Sequence, residues 1–370
     1  MKITCNLASL KAAFHVVAPF SSSRSPKAVL QNVKLDCPAD GAPSLTATDM
    51  ETGVGLNLEG IEVHKPGTIL LPVANFASIL RESSGETMTI TATDKAIEVV
   101  CNRSRFKIPV TPPDEFPSLP SPTLEKYHVI DSEQLVTCIN RTEFAADPAA
   151  TRYALGGLLF ELTDTMMFVV ATDGRRLVKC ESAARSVEGH RSSGAIVRVE
   201  AIRLIARALA GGKGDVSMIV RTNECFFVTP NATFYARLLE GRFPKWRDVF
   251  PGKRYSVKVE VDGGQLHSGI RQAAIMTNKE SRGITFRFTP LCLSLESNTA
   301  EVGQSTVELA TSYTGPDAHV DLDFRFVTDF LKAIDSEAKA TMDIEGPESA
   351  VVMTYGDSYS YVIMPLTRDR

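Results

Sequence analysis

No CxxC pair occurs among the seven cysteines of this 370-residue chain. Cys5, Cys37, Cys101, Cys138, Cys180, Cys225 and Cys292 are scattered, mostly in apolar runs, so buried free thiols are expected and not disulfides or a zinc site. HExxH and GxSxG are both missing, the histidines are dispersed, and no carboxylate pair is marked by its spacing. No metal ligand or catalytic residue is therefore expected. Gly211-Gly-Lys-Gly-Asp215 lacks the spacing and the following Ser/Thr of a phosphate-binding P-loop. It reads as a helix-ending turn, and no cofactor is expected. No apolar run approaches the roughly 18 residues that span a bilayer. Met1-Lys-Ile-Thr enters an alternating strand pattern without an apolar leader. A cytoplasmic protein with no membrane partner is expected. An excess of positive charge is also lacking: the formal charge is −4. That excludes a polycation coating nucleic acid indiscriminately, so any contact with DNA must come from locally concentrated Lys and Arg.

What is present is a periodicity. The chain is 44% hydrophobic and 23% charged, ordinary for a globular protein of two or three domains. Apolar residues at helical spacing predict helices over 6–18, where Leu7, Leu10, Phe14 and Val17 share a face, and over 73–82, with Phe76, Ile79 and Leu80. Further helices are predicted over 131–145, 198–210, 263–276 and 326–335, each followed by about three short strands. The helices start at intervals of roughly 58 to 67 residues, the signature of one helix-plus-strands unit used six times. Two units per domain give three similar α+β domains, 1–123, 124–253 and 254–370, the first boundary falling in the Pro-rich stretch 109–122. Basic residues on these helices outnumber acidic ones: Lys11, His15, Arg81, Arg141, Arg198, Arg203, Arg207, His267, Arg271 and Lys332. Arg203 and Arg207, four apart, share a face.

Met166 to Cys180 reads as a tight hairpin, an apolar run, then Asp173-Gly174 as a turn, then a second strand from Leu177. Its segment Ala171-Thr-Asp-Gly-Arg-Arg-Leu177 resembles the ATDGHRL signature of the bacterial DNA sliding clamp family, the beta subunit of the replicative DNA polymerase III. Three more segments resemble that family in the same order: Arg152-Tyr-Ala-Leu-Gly-Gly-Leu158, Gly241-Arg-Phe-Pro-Lys-Trp-Arg-Asp-Val-Phe-Pro251 and Tyr361-Val-Ile-Met-Pro-Leu366. Together they spread over more than half of the chain.

The resemblance implies the DNA clamp fold: three domains, each of two βαβββ units, in a head-to-tail homodimeric ring. The helices would line a hole for double-stranded DNA, held through phosphates without base reading. DNA contacts would come from Arg81, Arg141, Arg203, Arg207 and Arg271, and from loop residues Arg24, Arg152 and Tyr153. Ala154 stands where an aromatic residue is common, and Ala74 and Asn75 where some relatives are basic, which thins that contact. The alternating strand at 103–110 would pair through Phe106 and Ile108 with the third domain of a second chain, near Ile275 and Met276. A pocket between domains 2 and 3 would take short peptides. Leu155, Thr172, Gly174, Arg175, Arg176 and Leu177 match one wall, with the arginines anchoring the peptide main chain. Pro244 and Val249 match another, and Phe326, Val362, Met364 and Leu366 complete it. Arg175 replaces the usual His, and Asp248 stands where some clamps have Arg, which alters the charge at the rim. Implied partners are the polymerase III catalytic subunit, the ATP-driven clamp loader, and other polymerases and repair proteins with clamp-binding peptides. Two other classes compete with this reading: a DNA-modifying or hydrolytic enzyme on the same fold, and a peptide-binding scaffold that does not bind DNA.

Overall fold

A computed structural model describes residues 1–22, 25–150, 154–250, 257–278 and 282–366. The candidate DNA contacts Arg24, Arg152 and Tyr153, and the expected boundary near 253, lie outside the described residues.

Six α-helices occur among the described residues, at the six expected places: α1 (Leu7–Val17), α2 (Val73–Glu82), α3 (Ser132–Asn140), α4 (Val199–Leu209), α5 (Gly263–Ala273) and α6 (Phe324–Lys332). Their ends follow from capping chemistry. Asn6 begins α1 by accepting a hydrogen bond from the Ser9 N–H, and Asp262 does the same for Gln265 at α5. Asp323 accepts from the Arg325 N–H, so α6 starts two residues earlier than its apolar spacing indicates. α3 stops at Asn140, five residues before its expected end. There Thr142 Oγ1 donates to the carbonyls of Cys138 and Ile139, and only a short 3-10 turn, Glu143–Ala145, follows. Each helix buries one stripe: Leu7, Leu10, Phe14 and Val17 on α1, and Phe326, Val327, Phe330 and Leu331 on α6. The ring of Phe14 meets that of Phe76 edge-on at 5.0 Å, which locks α1 against α2. All seven cysteines are free, and six are buried.

The strands form four antiparallel sheets. Contacts group the chain into two compact units. The first comprises Met1–Glu133, Ala184–His190 and Glu200–Leu238, and the second comprises Gln134–Ala183, Arg191–Val199 and Leu239–Arg370. This grouping differs from three consecutive domains because strand pairing runs across the expected boundaries. In the first unit, Thr52–Asn57 pairs with Ala232–Arg237 inside a nine-stranded sheet. In the second, Arg176–Ala183 pairs with Tyr359–Ile363 inside an eight-stranded sheet. Each unit also holds a smaller sheet that ends in an unpaired edge. The five-stranded sheet of the first unit runs from Ile61–Lys65 at one edge to Ser104–Pro109 at the other, and the four-stranded sheet of the second from Gly303–Ala310 to Ala318–Asp323. Pro109 has no N–H to donate and so is tolerated at such an edge.

Candidate functional site

The second unit gathers the described residues of the four signature segments around one hairpin. Met166–Thr172 and Arg176–Ala183 pair with Thr172 opposite Leu177. Asp173 Oδ1 accepts from the N–H groups of Arg175 and Arg176 at 2.9 and 3.1 Å. Thr172 Oγ1 donates to the Arg176 carbonyl at 2.6 Å and accepts from the Gly174 N–H at 3.0 Å. Gly174 has φ of +88°, the left-handed region that closes this turn without the steric cost a side chain would carry. The turn is thus built by its own Asp and Thr, and it leaves Arg175 exposed at the tip.

The C-terminal strand completes the surface. Tyr359–Ile363 lies beside the hairpin with Val362 opposite Leu177, and the Met364 N–H donates to the Arg175 carbonyl at 2.9 Å. Leu177 and Val362 are buried in one apolar cluster with Ala154, Leu159, Val170, Ile196, Val352 and Trp246. Thr172 is buried, and Leu155 and Pro244 are half-buried. Val249, Met364 and Leu366 are 40%, 48% and 41% exposed, three of the few large apolar side chains left to solvent among the described residues. The buried cluster and these exposed apolar side chains, one of them a flexible Met, are of the kind that takes Leu or Phe side chains of a short peptide.

Arg176 has a different place from the one its sequence suggests. Its Nε donates to Asp173 Oδ2 at 2.8 Å, one terminal nitrogen to Asp329 Oδ2 at 2.6 Å and the other to the Phe144 carbonyl at 2.7 Å. The guanidinium lies 4.5 Å from the centre of the Phe326 ring. Through these donors Arg176 braces the hairpin against α6. Phe326 is buried beneath it. Sequence gives no hint of this, since Asp329 lies 153 residues further on.

The helix charges divide in the same manner. Arg81, Arg207 and Arg271 are exposed, and Arg203 is half-buried on α4. Arg81 pairs only with its neighbour Glu82, and both side chains are 73% exposed, so the pair holds the charge weakly. Lys11, His15 and Arg81 rim a cleft of about 570 Å³ between α1 and α2. On α5, His267 is pushed below its ordinary value by burial, then by Arg271 and by Lys332 of α6. Burial is the larger cause, and the two neighbouring cations add to it. Arg141 departs from the set: it is half-buried, its guanidinium 5.2 and 5.3 Å from the ring centres of Tyr355 and Tyr359. It is engaged within the fold by these two rings.

Phe106 is half-buried and Ile108 buried on their edge strand, with Arg105 and Lys107 exposed on the other face. Ile275 is 68% exposed, and Met276 is half-buried with its Sδ near Gly303. Sequence reading missed the strand Gly303–Ala310 as a functional element. Its sequence, Gly-Gln-Ser-Thr-Val-Glu-Leu-Ala, carries only the weak alternation of Val307 and Leu309 with Thr306 and Glu308, although burial alternates along the whole strand.

Comparisons with known proteins follow the same plan. Three family models match in succession: the DNA polymerase III beta subunit N-terminal domain over residues 1–120, the central domain over 129–245 and the C-terminal domain over 247–367. A beta sliding clamp of Pseudomonas putida is 27% identical over 368 residues, 99% of this chain and all of that one. The DNA polymerase sliding clamp of Bacillus subtilis superposes with a TM-score of 0.93 over all of both chains at 19% identity, which shows the fold alone. A Pseudomonas aeruginosa sliding clamp, in a crystal structure with griselimycin bound, is 26% identical with a TM-score of 0.91 over all of both chains. Three consecutive models, full-length similarity and a shared fold all point the same way: the chain belongs to the DNA polymerase III beta subunit family, the sliding clamps.

Proposed function

We propose that two copies of this chain close head to tail into a ring around duplex DNA, and that the ring tethers the replicative polymerase and other DNA enzymes. As a sliding clamp it is a non-catalytic processivity subunit, so its work is attachment. One regularity carries the ring. Thr52–Asn57, the third strand after α1, pairs with Ala232–Arg237, the last strand before the second expected boundary. Arg176–Ala183, the third strand after α3, pairs with Tyr359–Ile363, the last strand of the chain. The next pair in this series is Gly303–Ala310, the third strand after α5, with Ser104–Pro109, the last strand before the first boundary. Each of those two is an edge strand of its sheet, with Ile61–Lys65 and Ala318–Asp323 at the opposite edges.

Pairing them between copies repeats the chain's own junction and merges a five-stranded and a four-stranded sheet into one of nine. It also pairs exposed edges that would otherwise invite aggregation. Exposed Arg103, Arg105 and Lys107 would then meet exposed Glu301 and Glu308, and Ile275 would be covered. Three domains with boundaries near 123 and 253 follow from the same series.

Inside such a ring, Arg81, Arg203, Arg207 and Arg271, with Arg24, Arg152 and Tyr153 on loops, make interchangeable phosphate contacts that permit sliding. Outside the hole, the surface around Arg175, Val249, Met364 and Leu366 takes peptides from the polymerase III catalytic subunit, the clamp-loader ATPase, other polymerases and repair proteins. The loader supplies ATP-driven opening, and the complex works in the cytoplasm.

The tethering half is directly testable, because Trp246 is the single tryptophan and belongs to the apolar cluster of the pocket. Titrating a short synthetic peptide ending in Leu-Phe changes its emission saturably. A flat titration at saturating peptide contradicts the pocket.

A further inference from the structure

The wall of the pocket that carries Pro244 and Val249 has little to hold it. Trp246–Val249 is a single 3-10 turn with no side-chain cap at its start. A cavity of about 470 Å³ lies beside it, lined in part by Leu159, Ile196 and Pro244, and a second of about 480 Å³ opens next to Arg247. Loosely packed turns of this kind keep a fixed position only where side chains tie them down.

Glu161 supplies the tie. It lies on the strand Gly157–Leu162, with its side chain only 15% exposed. One carboxylate oxygen accepts from the Trp246 indole N–H at 3.2 Å, and the other pairs with the Arg247 guanidinium at 2.7 Å. That guanidinium in turn lies 4.1 Å from the centre of the Trp246 ring system and 5.7 Å from that of Phe168. Two adjacent residues of the wall are therefore clasped by one acid on a rigid strand. The indole is keyed on its other side into the cluster that contains Leu177 and Val362.

We propose that Glu161 is a positioning residue of the peptide pocket, setting through Trp246 and Arg247 where Pro244 and Val249 stand. This rests on the pocket reading above. Glu161 need not touch the peptide. Without its carboxylate, the buried indole N–H has no acceptor and Arg247 keeps only ring contacts, so the turn samples positions that a peptide must pay to narrow.

The test compares E161A and E161Q with the full-length wild type, using a fluorescein-labelled synthetic peptide ending in Leu-Phe. Anisotropy gives affinity, and Trp246 emission without peptide reports the clasp. E161A binds about tenfold more weakly than wild type, a change of about 1.4 kcal/mol, and its emission shifts to the red. E161Q keeps an acceptor for the indole, so it binds within about threefold and its emission stays close to wild type. A purely structural role would make the two variants alike in affinity well below their melting temperatures, and that result overturns the proposal. So does an E161A that binds and emits as wild type does. Should E161A fail to fold, R247M takes its place and is expected to weaken binding by about threefold; unchanged binding there is equally contrary. A wild type that does not bind the peptide removes the pocket and this inference together, whereas a binding wild type beside an equally binding E161A removes the inference alone.

Discussion

Aspartate in place of both Phe106 and Ile275 gives a particle with the mass of one chain, whereas the wild type sediments as two. Ile275 is 68% exposed on a chain considered alone, and Phe106 lies half-buried on an edge strand. Neither holds its own unit together, so the single chain keeps its fold. In the proposed ring, Phe106 would lie on one pairing edge and Ile275, on the 3-10 turn Ala274–Met276, beside the other. Covering an Ile or Phe side chain contributes about 1.5–3 kcal/mol, and an unpaired carboxylate in its place adds a desolvation cost. Two such sites per interface raise the dissociation constant by about a thousandfold or more. L124D serves as the control. Leu124 is 55% exposed in the segment before Tyr127–Asp131, outside both sheets whose edges are proposed to pair, and that variant stays dimeric. Sedimentation velocity across a range of protein concentrations decides it. A double variant that remains a dimer means the edges named here are not the ones that pair.

Arg176→Met destabilises the protein by about 3 kcal/mol and also weakens peptide binding. The size follows from what the guanidinium leaves behind. Its side chain is 11% exposed, and it neutralises Asp173, 19% exposed, and Asp329, 32% exposed. It also satisfies the Phe144 carbonyl and stacks on Phe326. Methionine preserves much of the packing volume but strands two partly buried carboxylates. Breaking such a network from one side costs more than the network is worth as a whole, because the remaining charges stay desolvated. D329N is milder, about 1 kcal/mol, since Arg176 retains Asp173 and the carbonyl. Urea unfolding measures both, and R176M within about 0.5 kcal/mol of wild type would show that the network is a surface feature.

Much of the fold was legible in the sequence because it is written in local patterns. Apolar residues at helical spacing located all six helices, and their regular recurrence exposed the repeat without reference to any relative. Asp173-Gly174 announced its turn, since few residue pairs accept that backbone. Less visible were weakly apolar strands such as Ile61–Lys65, which exists by pairing with Lys2–Asn6 and has little hydrophobic signal of its own. Least visible was whatever depends on distant partners. Arg141 looks like any basic residue beyond a helix end until Tyr355 and Tyr359 arrive beside it, the latter 218 residues away. Arg176 looks like half of an exposed arginine pair until α6 brings Asp329 to it. The grouping into two units is likewise a property of strand pairing, which spacing along the chain does not encode.

The wall clasp shows the same division. Trp246 and Arg247 belong to a segment whose family resemblance was plain from sequence, yet Glu161 carried no mark of its own. A carboxylate at that position reads as the solvated residue of an alternating strand. Its role emerges only when the chain folds back 85 residues later and brings the indole to it.

Attachment by enclosure, with no tight grip on phosphates, is the central claim, and retention on DNA of different topology tests it most directly. Labelled protein loaded with its clamp loader and ATP onto a nicked circular duplex, then passed through a sizing column at moderate salt, should travel with the circle. Cutting the same circle once should release it, because a ring slides off an end. Protein that stays bound to the linear duplex, or never stays with the circle, would contradict the account.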